Sequence, residues 1–276
     1  MTAALTAPRV LLSHLIDYAG MYPPESLSLD DALMTYRRHQ RGRHEWMLAV
    51  FLCPSSKLHD LEWLLGEERL PVGVVLDQPA DEAISAIEAS ALTIRQIETT
   101  DLDVEGHFDE IDQALTIWLE VPPERAAKVA ARNPGRRIGV KVRCGGATPE
   151  SFPPPAALAE VLVDAFRGGL PIKATAGLHH PWRHIWADLG VWRHGFLNLL
   201  AASAALVTSA DPKAVESLLA SEKAGDLRRD HLCLGGHRFS VSELKSARVF
   251  FRSYGSCSFD EPVDDLVMMG SLQATA

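Results

Sequence analysis

Two stretches decide the fold: Gly139-Val140-Lys141-Val142-Arg143-Cys144-Gly145-Gly146 and Ile172-Lys173-Ala174-Thr175-Ala176-Gly177. Each is a short apolar run ending in small residues, the composition of a strand that leads into a tight loop. Each also carries a lysine where an apolar side chain would be cheaper, because desolvation disfavours an ammonium unless a partner compensates. Side chains alternate along a strand, so Lys141 shares a face with Arg143, and Lys173 with Thr175. Both lysines can point inward. The helical pattern at 156–166 between the two runs makes them successive strands of one βα unit.

Working outward, strand-like runs recur at 11–16, 46–52, 72–76, 93–97, 117–121, 138–142, 172–175 and 249–254. Helical patterns lie between them at 29–39, 57–65, 81–89, 108–115, 124–131, 156–166 and 195–206, several opened by a capping residue or a proline. Eight such units in a chain of 276 residues are the arithmetic of an α/β fold of the (β/α)8 TIM-barrel type, as a single domain over 1–276. A doubly wound open sheet is the alternative, but no Gly-x-Gly-x-x-Gly follows the first run. The connection 177–244, with helical patterns at 195–206 and 212–220, far exceeds the usual ~4–6 residues. It reads as a long helical insertion between strands seven and eight, serving as a lid over the catalytic face or as a subunit contact in a homo-oligomer.

In such a barrel the reacting groups sit at the carboxyl ends of the strands. Asp17, Cys53, Asp77, Glu98 and Glu120 end the first five runs, and the eighth ends in Tyr254-Gly255-Ser256-Cys257. Two lysines facing these carboxylates have two readings. Either they form structural ion pairs, or one is a desolvated amine whose pKa is depressed by the other, able to attack a carbonyl and form a Schiff base.

The strand-end lysines, followed by Gly145-Gly146 and Ala176-Gly177 and separated by 32 residues (173 − 141), resemble the sixth and seventh strands of the deoxyribose-phosphate aldolase type of class I aldolase. Leu15-Ile16-Asp17-Tyr18 followed by Pro23-Pro24, Phe51-Leu52-Cys53-Pro54, and Arg252-Ser253-Tyr254-Gly255-Ser256-Cys257-Ser258 resemble other segments of that family in the same order. Lys-Ala-Thr-Ala-Gly-Leu-His-His-Pro from Lys173 and Gly-Ser-Cys-Ser-Phe-Asp-Glu-Pro from Gly255 also resemble a bacterial family. The aldolase resemblance implies that Lys141 forms the imine, that Lys173 depresses its pKa, that Asp17 orients the pair, and that an acid relays protons. Asp77, Glu98 and Glu120 are all alternatives for that acid. Arg143, Thr175, Gly255 and Ser256 are then expected to bind the substrate, a small oxygenated carbonyl compound that can carry a phosphate.

The insertion offers a rival chemistry. It holds six of the eleven histidines, among them His179, His180 and His184. Imidazoles suit zinc and similar ions, but no tight metal signature is present, so no metal or other cofactor is expected. His179 and His180 are expected instead to contact substrate, and Asn198, on an otherwise apolar helix stripe, to reach the pocket. The alternatives are therefore a metal-dependent barrel hydrolase or isomerase using His179 and His180, and a non-catalytic barrel serving as a ligand-binding or assembly subunit.

Composition narrows the partners. Asp plus Glu outnumber Lys plus Arg by 36 to 27, and no basic run exists to attract nucleic acid or an anionic membrane. No apolar stretch approaches the ~18–20 residues of a membrane span. Residues 1–8 lack the pattern of a signal peptide, and the four scattered cysteines suit reduced thiols, so a cytoplasmic protein is expected.

Overall fold

The computed structural model describes residues 5–273; residues 1–4, part of the amino-terminal stretch read above for a signal, lie outside them. Seven parallel strands come first: β1 (Ile16–Tyr18), β2 (Leu48–Pro54), β3 (Pro71–Val75), β4 (Thr93–Thr99), β5 (Thr116–Leu119), β6 (Arg137–Arg143) and β7 (Ile172–Thr175). After β7 come a hairpin, β8 (His184–Trp186) and β9 (Val191–Arg193), and a three-stranded sheet, β10 (Asp226–Leu227), β11 (His231–Leu234) and β12 (His237–Ser240). The last strand, β13 (Phe251–Ser256), pairs with β7 on one side and β1 on the other, closing an eight-stranded parallel barrel in the order β1-β2-β3-β4-β5-β6-β7-β13.

Helices interleave with the strands. They are α1 (Ala7–Leu12), α2 (Leu29–Gln40), α3 (Leu58–Leu65), α4 (Ala80–Ala89), α5 (Pro123–Arg132), α6 (Pro155–Arg167), α7 (Phe196–Ser209), α8 (Pro212–Ala220), α9 (Val241–Phe250) and α10 (Asp260–Met268). Their starts follow local chemistry. The Ser28 hydroxyl accepts from the Asp31 N–H at 3.1 Å, with Asp30 and Asp31 in the first turn of α2, and Ser240 and Glu243 form a reciprocal capping box on α9. No helix among the described residues is long and apolar enough to cross a membrane.

Two expected elements are corrected. The first run, 11–16, is not a strand: α1 ends at Leu12 and only Ile16–Tyr18 joins the barrel. The Thr6 side chain caps α1 and Pro8 sits in its first turn, start signals that outweigh a short apolar run whose period is ambiguous. The helix expected at 108–115 is also absent. Its buried Phe108, Ile111 and Leu115 have helical spacing, but the Asp112 carboxylate takes the Ala114 N–H at 2.9 Å and the Leu115 N–H bonds the Asp112 carbonyl. Aspartate thus closes local turns in competition with a helix. A 3-10 turn at Asp103–His107 joins β4 to β5 instead.

Period-2 alternation divides the barrel residues into two sets. Outward-facing Ile97, Ile117, Val140, Ile172 and Tyr254 are buried under the helices, with the Tyr254 ring stacked on Phe196 of α7 at 5.4 Å. The set facing the lumen includes Asp17, Gly73, Gln96, Glu98, Trp118, Gly139, Lys141, Lys173, Ser253 and Gly255. The small members make room for large ones: a Cβ at Gly139 would strike the Trp118 ring, and one at Gly73 would lie 3.0 Å from Gln96 Nε2.

Candidate active site

The register places Lys141 directly beside Lys173 on adjacent strands, and closure brings Glu98, Asp17 and Ser253 round to meet them. Lys141 Nζ lies 2.9 Å from Glu98 Oε2 and 3.1 Å from Glu120 Oε2. Lys173 Nζ donates to Asp17 Oδ2 at 2.5 Å and to Glu98 Oε1. Glu98 therefore bridges the two ammonium groups, one on each oxygen. The row continues at the rim, where Arg143 Nε donates to Glu120 Oε1 at 2.7 Å. Three carboxylates face three cations in this row. A buried set of charges is tolerable only when each one is compensated in this way.

A ring of neutral donors fixes the carboxylates. Ser253 Oγ donates to Asp17 Oδ2 at 2.7 Å, and Gln96 Nε2 reaches both Asp17 Oδ2 and Glu98 Oε1, at 3.1 and 3.2 Å. Trp118 Nε1 donates to Gln96 Oε1 at 3.0 Å, which orients the amide. Gln96, Trp118 and Ser253 were missed by the sequence reading. Two of them had a signal available, since Gln96 is two residues before Glu98 and Ser253 two before Gly255 on the same faces. Tyr22, in the loop after β1, had none. Its hydroxyl is buried without a hydrogen-bond partner among the described residues, and burial, with the charge of Glu98 nearby, raises its pKa.

The electrostatics sort the two lysines. Burial alone would push the Glu98 carboxyl up, but the Lys173 and Lys141 ammonium groups outweigh it and hold it at about 2. Burial would likewise lower Lys173, yet Asp17 and Glu98 raise it. Lys173 is thus an ammonium at neutral pH, and its side chain is fully buried. Lys141 keeps 9% of its side-chain surface exposed, and Glu120 keeps 15%.

The other expected site residues divide. Thr175 and Gly255 stand in register with Arg143 and Asp17 at the mouth, and the Ser256 hydroxyl donates to the Ser258 carbonyl at 2.6 Å. Asp77 leaves the set of candidate acids, because its carboxylate receives the Ser55 and Ser56 hydroxyls and the Ser56 N–H. Asn198 does not reach the pocket. It is fully buried, donating to the carbonyls of Leu218 and Ser221 and accepting the Arg183 N–H at 2.9 Å, so its whole amide is spent on tying α7 to neighbouring backbone. Tyr18, next to Asp17 on β1, packs outward against Tyr36, His39 and Phe51.

The histidines form a separate group. His179 Nδ1 lies 2.6 Å from Glu261 and its Nε2 3.8 Å from Cys257 Sγ, while His180 Nδ1 lies 2.6 Å from Asp265. The Cys257, His179, Glu261 row has the order of a nucleophile, base and orienting acid. Burial pushes the thiol up to about 11, however, so the thiolate that would react is scarce at neutral pH. Among the described residues, no three His, Cys, Asp or Glu side chains gather as a group that could hold a metal ion. No protein-family model matches this chain, and no curated protein is significantly similar to it.

Proposed function

We propose that the protein is a class I aldolase-like lyase that forms a Schiff base between Lys141 and a small oxygenated carbonyl compound. The observation that carries this reading is one carboxylate, Glu98, shared by two lysines of which only Lys141 has access to the mouth. Lys173, permanently charged and out of reach, is the neighbouring cation. Glu98, held as an anion by both, anchors the pair. The resemblance to the deoxyribose-phosphate aldolase type points the same way.

On this reading Lys141 passes a proton to Glu120, the one partner with solvent contact. Its free amine then adds to the substrate carbonyl carbon, and water leaves with protons returned through Glu120. The protonated imine accepts the electron pair of the bond between its α and β carbons as that bond breaks; the β-hydroxyl gives its proton to Glu120 and its carbon leaves as an aldehyde. The enamine left on Lys141 is protonated at its α carbon and hydrolysed to a second carbonyl product and the free amine. Arg143, Thr175, Gly255 and Ser256 hold the substrate's oxygens or phosphate. Within 177–244 the β8–β9 hairpin covers the mouth as a partial lid: the Trp186 ring lies 6.0 Å from that of Phe152 in the loop after β6, and the Arg193 guanidinium 3.4 Å over Trp186. The rest of the expected lid packs elsewhere, α7 against outward-facing Tyr254 and the turn at Leu227 and Arg229 against Ser271 and Ala7.

Borohydride reduction in the presence of small aldehydes and keto acids tests the proposal, because it turns a reversible imine into a stable secondary amine. Peptide mapping should find the adduct on Lys141 and none in Lys141→Met. Removing Lys173 leaves the Glu98 charge facing Lys141 alone, so Lys173→Met should slow trapping at neutral pH and spare it at high pH. The ion pairs themselves favour a second reading, a non-catalytic ligand-binding barrel whose lysines are purely structural. Failure of every carbonyl compound to label a pocket lysine would select that reading.

A further inference from the structure

The opposite end of the barrel carries a feature that the Schiff-base reading does not use. A cavity of about 500 Å3 opens between the amino ends of β5, β6, β7 and β13. Arg136, Arg137 and Arg252 line it together with Trp118, Phe166 and Phe250, and no Asp or Glu does. In a chain with nine more acids than bases, three arginines in a cavity without a carboxylate are unexpected. Their partners sharpen the point. Arg136 and Arg137 donate to the Ile111 and Ala114 carbonyls, which carry no charge, and among the described residues the Arg252 guanidinium has no ion pair. Behind them Arg248 donates only to carbonyls of Ser13, His14, Phe251 and Arg252; burial, then the Arg252 charge, lowers its pKa to about 10. This end of the barrel holds uncompensated positive charge over an aromatic floor. Guanidinium forks bind carboxylate and phosphate oxygens, and flat apolar rings stack on aromatic side chains.

We propose that this cavity binds a small aromatic anion, an aryl carboxylate or aryl phosphate, with its ring over Trp118 and Phe250 and its charge toward Arg137 and Arg252. The site is independent of the Lys141 chemistry, although Trp118 Nε1 also orients Gln96 in the lumen.

Isothermal titration calorimetry of the full chain tests it with 1-naphthoate and 1-naphthyl phosphate, and with neutral 1-naphthol as control. The expected result is saturable one-to-one binding of at least one anion, weakened by added salt, with 1-naphthol at least tenfold weaker. Arg252→Gln should weaken the anion about tenfold and Arg137→Ala/Arg252→Gln further, as expected for lost charged hydrogen bonds. Arg143→Ala, at the far mouth, should leave it unchanged. Arg252→Gln removes no intramolecular partner, so it keeps the test valid if the double variant folds poorly. Naphthol binding as tightly as the anions, binding unaffected by Arg252→Gln, binding lost in Arg143→Ala, or no heat with either anion would each overturn the proposal. So would Arg252→Gln sedimenting as a smaller assembly than the wild type, which would make this face a contact between copies.

Discussion

At the scale of single residues, Glu98 has the most consequences, because among the described residues it is the one carboxylate that touches both buried ammonium groups. Glu98→Gln keeps the shape but leaves Lys173 and Lys141 each with one anionic partner fewer. Breaking a buried ion pair from one side costs about 3–5 kcal/mol, so urea denaturation should show a loss of that order. The pH dependence has a definite sign. A carboxyl held at about 2 when folded, against an ordinary 4.5, contributes stability above pH 4.5 that is lost as the pH falls toward 2. The raised pKa of Lys173 works in the other direction, with its contribution present below an ordinary 10.5 and lost only in strong base. Melting temperatures should therefore fall between pH 4.5 and pH 2 in the wild type, and by less in Glu98→Gln. Tyr22 is the opposite case. Its hydroxyl has no partner to lose among the described residues, so Tyr22→Phe should leave stability unchanged or raise it by up to about 1 kcal/mol. A destabilisation beyond about 1 kcal/mol would show that the hydroxyl is satisfied.

At the scale of elements, the same side-chain chemistry serves structure in one place and site geometry in another. Asn198 sits in α7, where Phe196 to Leu206 are all buried and a polar side chain is tolerated only because every arm of its amide is used. Asn198→Ala strands the Ser221 carbonyl and the Arg183 N–H, while the Leu218 carbonyl keeps the Ser221 N–H, and at about 1–3 kcal/mol for a buried polar group left unpaired it should lower the urea midpoint clearly without changing trapping at Lys141. The loops after β6 and β7 depend on close backbone approach. Gly177 has φ +73°, and a Cβ there would lie 2.9 Å from the Cys144 carbonyl oxygen and 3.2 Å from the Gly145 Cα. Gly177→Ala combines left-handed strain with that clash and should cost more than about 1 kcal/mol. Because these two loops follow the strands that bear Lys141 and Lys173, the variant should also alter trapping, which Asn198→Ala should not.

Across the whole molecule, the barrel and the long connection after β7 share one apolar core. Leu227, Leu232, Leu234 and Phe239 of the β10–β12 sheet region belong to the same buried cluster as Leu199 of α7 and Phe251 of β13. A segment whose apolar face is continuous with the main core cannot open without exposing that core to water. Limited proteolysis under native conditions should therefore not excise 177–244 from a barrel that stays folded. Early release of that segment would show that it opens as a unit of its own.

The sequence by itself determined the alternation of strand and helix, hence a barrel, and the parity of each strand, hence which polar residues enter the lumen. Lys141, Lys173, Asp17 and Glu98 were legible because an ionisable group in an apolar strand is a local signal. Tertiary structure decided which charge meets which. Barrel closure carried Asp17 to Ser253 and Lys173, 236 and 156 positions away along the chain, and gave Glu98 to both lysines. It also gave Asp77 to two serines and Asn198 to backbone carbonyls. Capping and turn chemistry, competing with a short apolar period, shortened the first strand and removed the helix after β4. Period and composition are properties of neighbouring residues, whereas the partner of a buried charge is set by register around a closed barrel, to which every strand contributes.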